Sequence, residues 1–311
     1  MFRVASALRG DSSVAFSGKS RSVSVRRRSL MPPNTGDLRT KALTPAIGAT
    51  VEGIDLSAPL TDGAVTQIRK ALDDHLVLFF EGQSLTPVQQ RDFAARFGSL
   101  YVHPFYPGHE AATEIMVLEH DATHRANSDR WHNDVTYLER PPQAAVLYAE
   151  EIPEIGGDTL WANMYLAYET LSEPLRRFVT QLRAVHSFAK NFTPERFKTL
   201  GMDDQRDRIY AEHPPVSHPV ARTNPATGRK ALFVNQDFTS HIEGLLPSES
   251  DALLRLLFEH MARPEFAVRW RWREGTVAFW DNRWAQHCAL ADYFPNRRRV
   301  RRATILGERP V

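Results

Sequence analysis

The sequence predicts a mainly β domain with flanking helices. Three observations carry that reading: strand-like runs recur along the chain, period-two alternation dominates its last third, and no βαβ rhythm with a Gly-rich phosphate loop is present. Gly156-Gly157 precedes a strand-like run rather than a helix, which argues against a nucleotide-binding fold.

Residues 1–30 come first and fit none of this. They hold seven basic residues (Arg3, Arg9, Lys19, Arg21, Arg26, Arg27, Arg28) against the single acid Asp11, so the rest of the chain carries net −4 where the whole carries +2. The stretch is rich in Ser and lacks periodicity, as in a transit peptide, a nucleic-acid-binding arm or a solvated tail. Residues 1–40 are read as a disordered basic Ser/Arg-rich N-terminal extension, with Met31 an alternative start, and residues 41–311 as one domain.

Within that domain the first strand signal is Leu76–Phe80. A helix follows, with Thr86 as N-cap, Pro87 at the first helical position, Phe93 and Phe97 on one stripe and Gly98 as its stop. Strand signals return at Ala145–Ala149 and Thr159–Ala162. A second helix is expected after Ser172, burying Leu175, Phe178, Val179 and Leu182, and a third after Ser248, burying Leu253, Leu254, Leu257 and Phe258. Strands are expected again at Leu232–Asn235, along the alternation Val268-Arg269-Trp270-Arg271-Trp272-Arg273, and at Val277–Trp280.

Composition narrows the chemistry. With 42% apolar residues in 311, a sizeable core is available without staples. The single cysteine, Cys288, excludes an intramolecular disulfide framework and a cysteine-rich metal site, and points to a reducing, cytoplasmic setting. Any metal must be held by His and carboxylates. No apolar run approaches the roughly 20 residues of a membrane span, so a soluble protein without a membrane partner is expected. The domain is also expected to bind no nucleic acid and to form a homo-oligomer.

His132-Asn133-Asp134 places an imidazole and a carboxylate two residues apart, on one face of extended chain. The motif occurs twice, the other being His241-Ile242-Glu243, about as often as chance gives with 12 His and 37 acids. Context favours the first pair: Trp131 precedes it, Val135 and Tyr137 alternate after it, and His287 is a third candidate in a strand–loop–strand segment. Two His and one carboxylate on one side of a metal leave positions open, as in non-haem Fe(II) oxygenases. A structural zinc site would close its shell. The run Asn296–Leu306 carries five arginines, readable as a nuclear-localisation or phosphate patch, or as a solvated edge. As a strand, Arg298, Val300 and Arg302 share one face and Arg297, Arg299 and Arg301 the other, of which only one is expected to be solvated. Two inward arginines require two anions, one on a co-substrate and one on a substrate.

Four segments in order, Trp131–Tyr137, Gly156–Trp161, Trp280–Arg283 leading to Gln286-His287, and Arg302–Gly307, resemble the Fe(II)/2-oxoglutarate-dependent dioxygenases of the taurine dioxygenase type, over about Leu43 to Pro310. The resemblance implies a double-stranded β-helix, or jelly roll, with Fe(II) held by His132, Asp134 and His287. It implies that 2-oxoglutarate meets Arg298 and the Thr159 hydroxyl, for which a permanently charged bidentate Arg is suited. A small anionic sulfonate would be bound by His103, Arg302 and the backbone of Val135, its amine by Tyr106, between apolar walls Phe192 and Phe238. Family members have an Asn four residues before the first iron ligand where this chain has Ser128, next to Asn127. That shorter hydroxyl argues for a shifted loop or another sulfonate.

The implied reaction consumes O2 and 2-oxoglutarate, hydroxylates the carbon bearing the sulfonate, and releases sulfite, succinate and CO2, with aminoacetaldehyde as the further product if taurine is the substrate. The alternatives are an alkylsulfatase-type or aryloxyalkanoate dioxygenase on the same scaffold, a keto-acid-binding regulator without turnover, and a basic-tailed nucleic-acid binder.

Overall fold

The computed structural model of the protein describes residues 38–103, 108–124 and 129–311. Tyr106, Ser128 and all but the last three residues of the expected N-terminal extension lie outside them. The described residues belong to one compact unit, Pro32–Val311. Arg39–Ala42 is already an edge strand, paired antiparallel with Ala49–Glu52, so regular structure begins before the boundary expected at residue 41.

A nine-stranded sheet forms one layer among the described residues. Its path runs Arg39–Ala42, Ala49–Glu52, Val77–Phe80, Val277–Asp281, Ala144–Glu151, Arg298–Ile305, Ala112–His120 and Gly108–His109, with Leu100–Tyr101 also pairing Arg298–Ile305. The sequence neighbours in this path are mostly distant, as in a jelly roll. A three-stranded sheet, Ala267–Trp270, Thr159–Asn163 and Ala285–Ala289, supplies the facing layer. Trp161 from that sheet and Phe79, Ala145, Ala149 and Trp280 from the large one share one buried cluster. Phe79 stacks on Trp270 at 4.0 Å and meets Trp161 edge-on at 5.3 Å. Such a jelly roll with flanking helices is the expected fold class.

One parallel pair departs from the reading of an absent βαβ rhythm: Ala49–Glu52 pairs parallel with Val77–Phe80, joined by the helix Asp62–His75. It is a single crossover at the sheet edge. The strand begins at Val77 because Leu76 takes a left-handed φ of 62° as the helix cap.

The helix Pro87–Ala95 starts as expected, with Thr86 and Gln89 capping each other. The second helix, Glu173–Thr180, follows Ser172 but buries only Val179; Phe178 is exposed. The third starts at Pro247, one residue before the expected cap Ser248, because the backbone N–H of Leu246 is taken by Glu249 (2.9 Å). The strand expected at Leu232–Asn235 stops at Leu232. Asn235 instead accepts bonds from the N–H groups of Asp237 and Phe238, a local turn that competes with the ladder. The alternation after Val268 persists past the strand end at Trp270, with Trp272 buried and Arg271 and Arg273 exposed.

The arginine strand also differs from expectation. Arg298 faces the interior, yet Arg301 on the opposite face is buried too. The helix Pro87–Ala95 covers that side, Gln90 donating to the Arg301 carbonyl (2.9 Å). Arg301 is ion-paired with Glu150 (3.1 Å), donates to the Leu85 carbonyl (2.5 Å) and lies 4.6 Å from the Tyr148 ring. No helix among the described residues is long and apolar enough to cross a membrane.

Candidate metal centre and flanking pockets

His132 and His287, distant in sequence, are joined by a two-way bridge: His132 N–H donates to the His287 carbonyl (2.9 Å) and the reverse bond is 2.8 Å. That bridge sets the rings 4.2 Å apart. After His132 the chain turns instead of continuing as the expected strand, and Asp134–Tyr137 forms a turn. The turn is fixed by two amides. Asn133 donates to the carbonyls of Asn282 (2.8 Å) and Ala285 (3.0 Å), while Asn282 accepts from Asp134 N–H (2.8 Å) and donates back to its carbonyl (3.1 Å). Val135 then sits at φ 56°, a strained position for a β-branched residue, which the surrounding clamp sustains.

The ligand atoms of His132, Asp134 and His287 all lie within 4.8 Å of one another, and all three residues are buried. Each imidazole Nε2 is 3.9 Å from Asp134 Oδ1. Arg302 donates to Oδ1 at 2.7 Å, whereas the buried Oδ2 has no hydrogen-bond partner. An orphaned carboxylate oxygen beside two imidazoles is the signature of a divalent cation's place. Burial alone would push the Asp134 carboxyl up, but Arg302 and the two imidazoles outweigh it and hold it below the usual range. Burial and the neighbouring His132 push His287 down to about 3, leaving a neutral imidazole that can ligate. His132 is oriented from behind by its Nδ1 bond to the Arg130 carbonyl (2.8 Å). The decoy pair stays apart: His241 and Glu243 are exposed, and Glu243 is 3.9 Å from Arg183.

Two pockets meet at this cluster. The first is lined by Thr159, Trp161, Trp272, Trp280, His287, Tyr293, Arg298 and Arg302. Arg298 is buried, which lowers its basicity, and lies 5.9 Å from the Trp272 ring and 5.8 Å from that of Tyr293. Trp272 Nε1 donates to Thr159 Oγ1 (2.9 Å), leaving the hydroxyl proton to point elsewhere. Gly157 explains the Gly156-Gly157 pair: at φ 72°, an added Cβ would come within 3.2 Å of Arg298 Cδ.

The second pocket is lined by His103, Asp134, Val135, Phe192, Phe238 and Arg302, gathering the expected substrate residues that are described. Burial and the nearby Arg302 guanidinium bring His103 down to about 3. Tyr106 and Ser128 cannot be placed, lying outside the described residues. The sequence reading missed Trp272, Tyr293, Asn191, Arg196 and Asp237 as pocket residues. Trp272 was marked by its alternation with arginines; nothing local marked the other four.

Comparison with known proteins agrees with this geometry. Residues 39–304 match the family model described as "Taurine catabolism dioxygenase TauD, TfdA family". The chain is 40% identical over 282 residues to an alkylsulfatase of Acinetobacter baylyi, covering 88% of this chain and 86% of that protein. It is 37% identical to an alpha-ketoglutarate-dependent sulfate ester dioxygenase of Pseudomonas putida, covering 90% and 93%. The crystal structure of a taurine dioxygenase from Burkholderia xenovorans superposes with a TM-score of 0.76 at 39% identity, covering 88% of this chain and 91% of that one. With the family match spanning most of the chain and a buried His-Asp-His cluster at its centre, the protein belongs to the TauD/TfdA family of dioxygenases, which use Fe(II) and 2-oxoglutarate.

Proposed function

We propose that this protein hydroxylates the carbon next to the sulfur oxyanion of a small organic sulfate ester or sulfonate. One observation carries the reading: the metal cluster lies where two pockets meet, and one strand, Arg298–Ile305, sends a guanidinium to each. His132, Asp134 and His287 would hold Fe(II). Arg298 and the Thr159 hydroxyl take the far carboxylate of 2-oxoglutarate, in a buried place where a charge-assisted pair is strong. Arg302, the neutral His103 and the Val135 backbone take the oxyanion, and Phe192 and Phe238 wall the carbon chain. Tyr106 and Ser128 are assigned to the substrate's tail.

Bound there, Fe(II) supplies oxygen activation, coupling oxidation of 2-oxoglutarate to succinate and CO2 with hydroxylation of the substrate. The chain's own groups supply placement. Arg302 ties the oxyanion beside the Asp134 carboxylate, so the adjoining carbon is presented to the metal. The aromatic walls exclude water from the reacting carbon. The hydroxylated product then breaks down to a carbonyl compound and sulfate from an ester, or sulfite from a sulfonate.

Between these substrates, a sulfate ester with an apolar chain fits better than taurine. Both carboxylates lining the pocket among the described residues are engaged, Asp134 by Arg302 (2.7 Å) and Asp237 by Arg130 (2.8 Å), so neither is offered to an ammonium group. The test is a panel of alkyl sulfates, sulfonates including taurine, and phenoxyacetates, scored for succinate together with sulfate or sulfite. Sulfate equal to succinate with alkyl sulfates is expected. Succinate with neither sulfur product across the panel would refute the reading, and phenoxyacetate turnover would move the protein to the aryloxyalkanoate branch.

A further inference from the structure

The turn that carries Asp134 is gripped from two sides. Asn282 fixes its front, bonding both the N–H and the carbonyl of Asp134. Its back is fixed by a small sheet of Val216–Pro219, Arg183–His186 and Thr239–Ile242, which brings the buried His218 and His186 together with their rings 5.1 Å apart. Neither histidine lines either pocket at the metal cluster. His218 Nε2 lies 3.0 Å from the Thr136 carbonyl and 3.1 Å from that of Leu138. Carbonyls only accept, so Nε2 carries the proton and donates to both. His186 Nδ1 and the Asn235 amide each lie 2.9 Å from the Thr136 hydroxyl, Asn235 as donor.

Packing alone does not account for these rings. The Nδ1 of His218 is buried without a hydrogen-bond partner among the described residues, a cost in stability that an apolar side chain of similar size would not carry. Burial holds His218 down to about 4 and His186 well below the ordinary imidazole value, so both are neutral. Between the two grips lies a single residue, Val135, and it is the one at φ 56°. A β-branched residue leaves that region when it can, and the change would shift the Asp134 carboxylate against His132 and His287.

We infer that His218, together with His186, is a positioning residue for the metal centre: by fixing Thr136 and Leu138 it keeps Val135 left-handed and so holds the Asp134 carboxylate where it can share one cation with both imidazoles. The inference rests on the metal cluster and not on the identity of the substrate, so it stands or falls separately from the function proposed above.

The test compares two amides of different reach in the full-length protein. H218Q puts an N–H near the place of Nε2, and H218N stops about one bond short of it. Mn(II) affinity is read by calorimetry without O2, and folding by denaturant unfolding of each variant. H218N is expected to weaken Mn(II) binding by about ten- to a hundredfold, as does loss of a group that orients a metal ligand, and H218Q to stay within about threefold. V135G adds the readout that a purely structural role would not move. Glycine adopts φ 56° without strain, so H218N introduced into V135G is expected to cost less than about threefold in Mn(II) affinity. Where H218N does not fold, T136V, which replaces only the hydroxyl bonded by His186 and Asn235, takes its place in the same cycle.

Mn(II) affinity unchanged in H218N would overturn the inference, as would a loss in H218Q equal to that in H218N, since reach would then not matter. An equal loss with and without V135G would also overturn it, showing that the histidine acts on the stability of the whole fold and not through the strained turn.

Discussion

The two pockets that meet at His132 are walled by different kinds of structure. On the Arg298 side, Thr159, Trp161, His287 and Arg298 all stand on strands, and their neighbours across the sheets are fixed: His287 opposite Trp161, Ala289 opposite Thr159. On the Arg302 side, Val135 and Tyr137 sit on a turn, Asn191 and Arg196 on two short helices, and Phe238 on a loop. A one-residue slip in a strand would turn every side chain to the other face, whereas loops and short helices change without disturbing the core. Most of the lining beside Arg298 is thereby set by strand register, with Trp272 and Tyr293 added from loops, while most of the lining of the other pocket comes from turns, loops and short helices.

Mutations can break this comparison. The largest effect is expected where both pockets depend on the same atoms: His132→Ala, Asp134→Ala or His287→Ala should each bring succinate formation below detection and weaken Fe(II) binding measured by titration. Glu243→Ala on the exposed decoy pair should change neither. Next, Arg298→Ala removes the buried charge of one pocket only. It should raise the KM for 2-oxoglutarate by about ten- to a hundredfold with little change in the relative use of different substrates. A change in substrate ranking as large as the change in KM would show that the pockets are not separable.

A smaller effect on the same side is expected from Gly157→Ala. Its φ of 72° and the 3.2 Å approach to Arg298 predict a loss of about 1 kcal/mol in stability, read by denaturant unfolding, and a several-fold rise in the 2-oxoglutarate KM. Phe238→Ala should act the other way round. It should reorder the substrate panel while leaving the 2-oxoglutarate KM within about twofold, because it lines only the pocket that Arg298 does not enter.

The patterns that could be read from the residues themselves were mostly strand-borne, whereas His103, Phe192 and Phe238 were expected only from the family resemblance. Gly156-Gly157, the Arg298/Arg302 parity and the tryptophan–arginine alternation are local patterns, and strands convert local patterns into faces. Arg196 and Asp237 carried no such pattern. Thr193-Pro194 announces a helix, but nothing in it tells which way the helix leans or which cavity its third residue, Arg196, enters. The misread elements follow the same division. Phe178 shares the stripe of Val179 by spacing yet is exposed, since spacing gives a direction around a helix and not the depth of cover over it. Arg301 was expected in water by parity, and a helix from elsewhere in the chain covers it.

The sequence by itself determined the chemistry available: imidazole and carboxylate without useful thiol, two arginines four residues apart on one strand face, and a glycine, Gly157, where the backbone passes close to the Arg298 side chain. Tertiary structure alone decided that His287 bridges to His132, that the chain turns sharply after Asn133, and that a second cation shares the pocket of the first. The physical reason is that periodicity is encoded by neighbours along the chain, while burial, charge pairing and cavity membership arise from residues far apart in sequence. Their meeting is set by the packing of whole sheets.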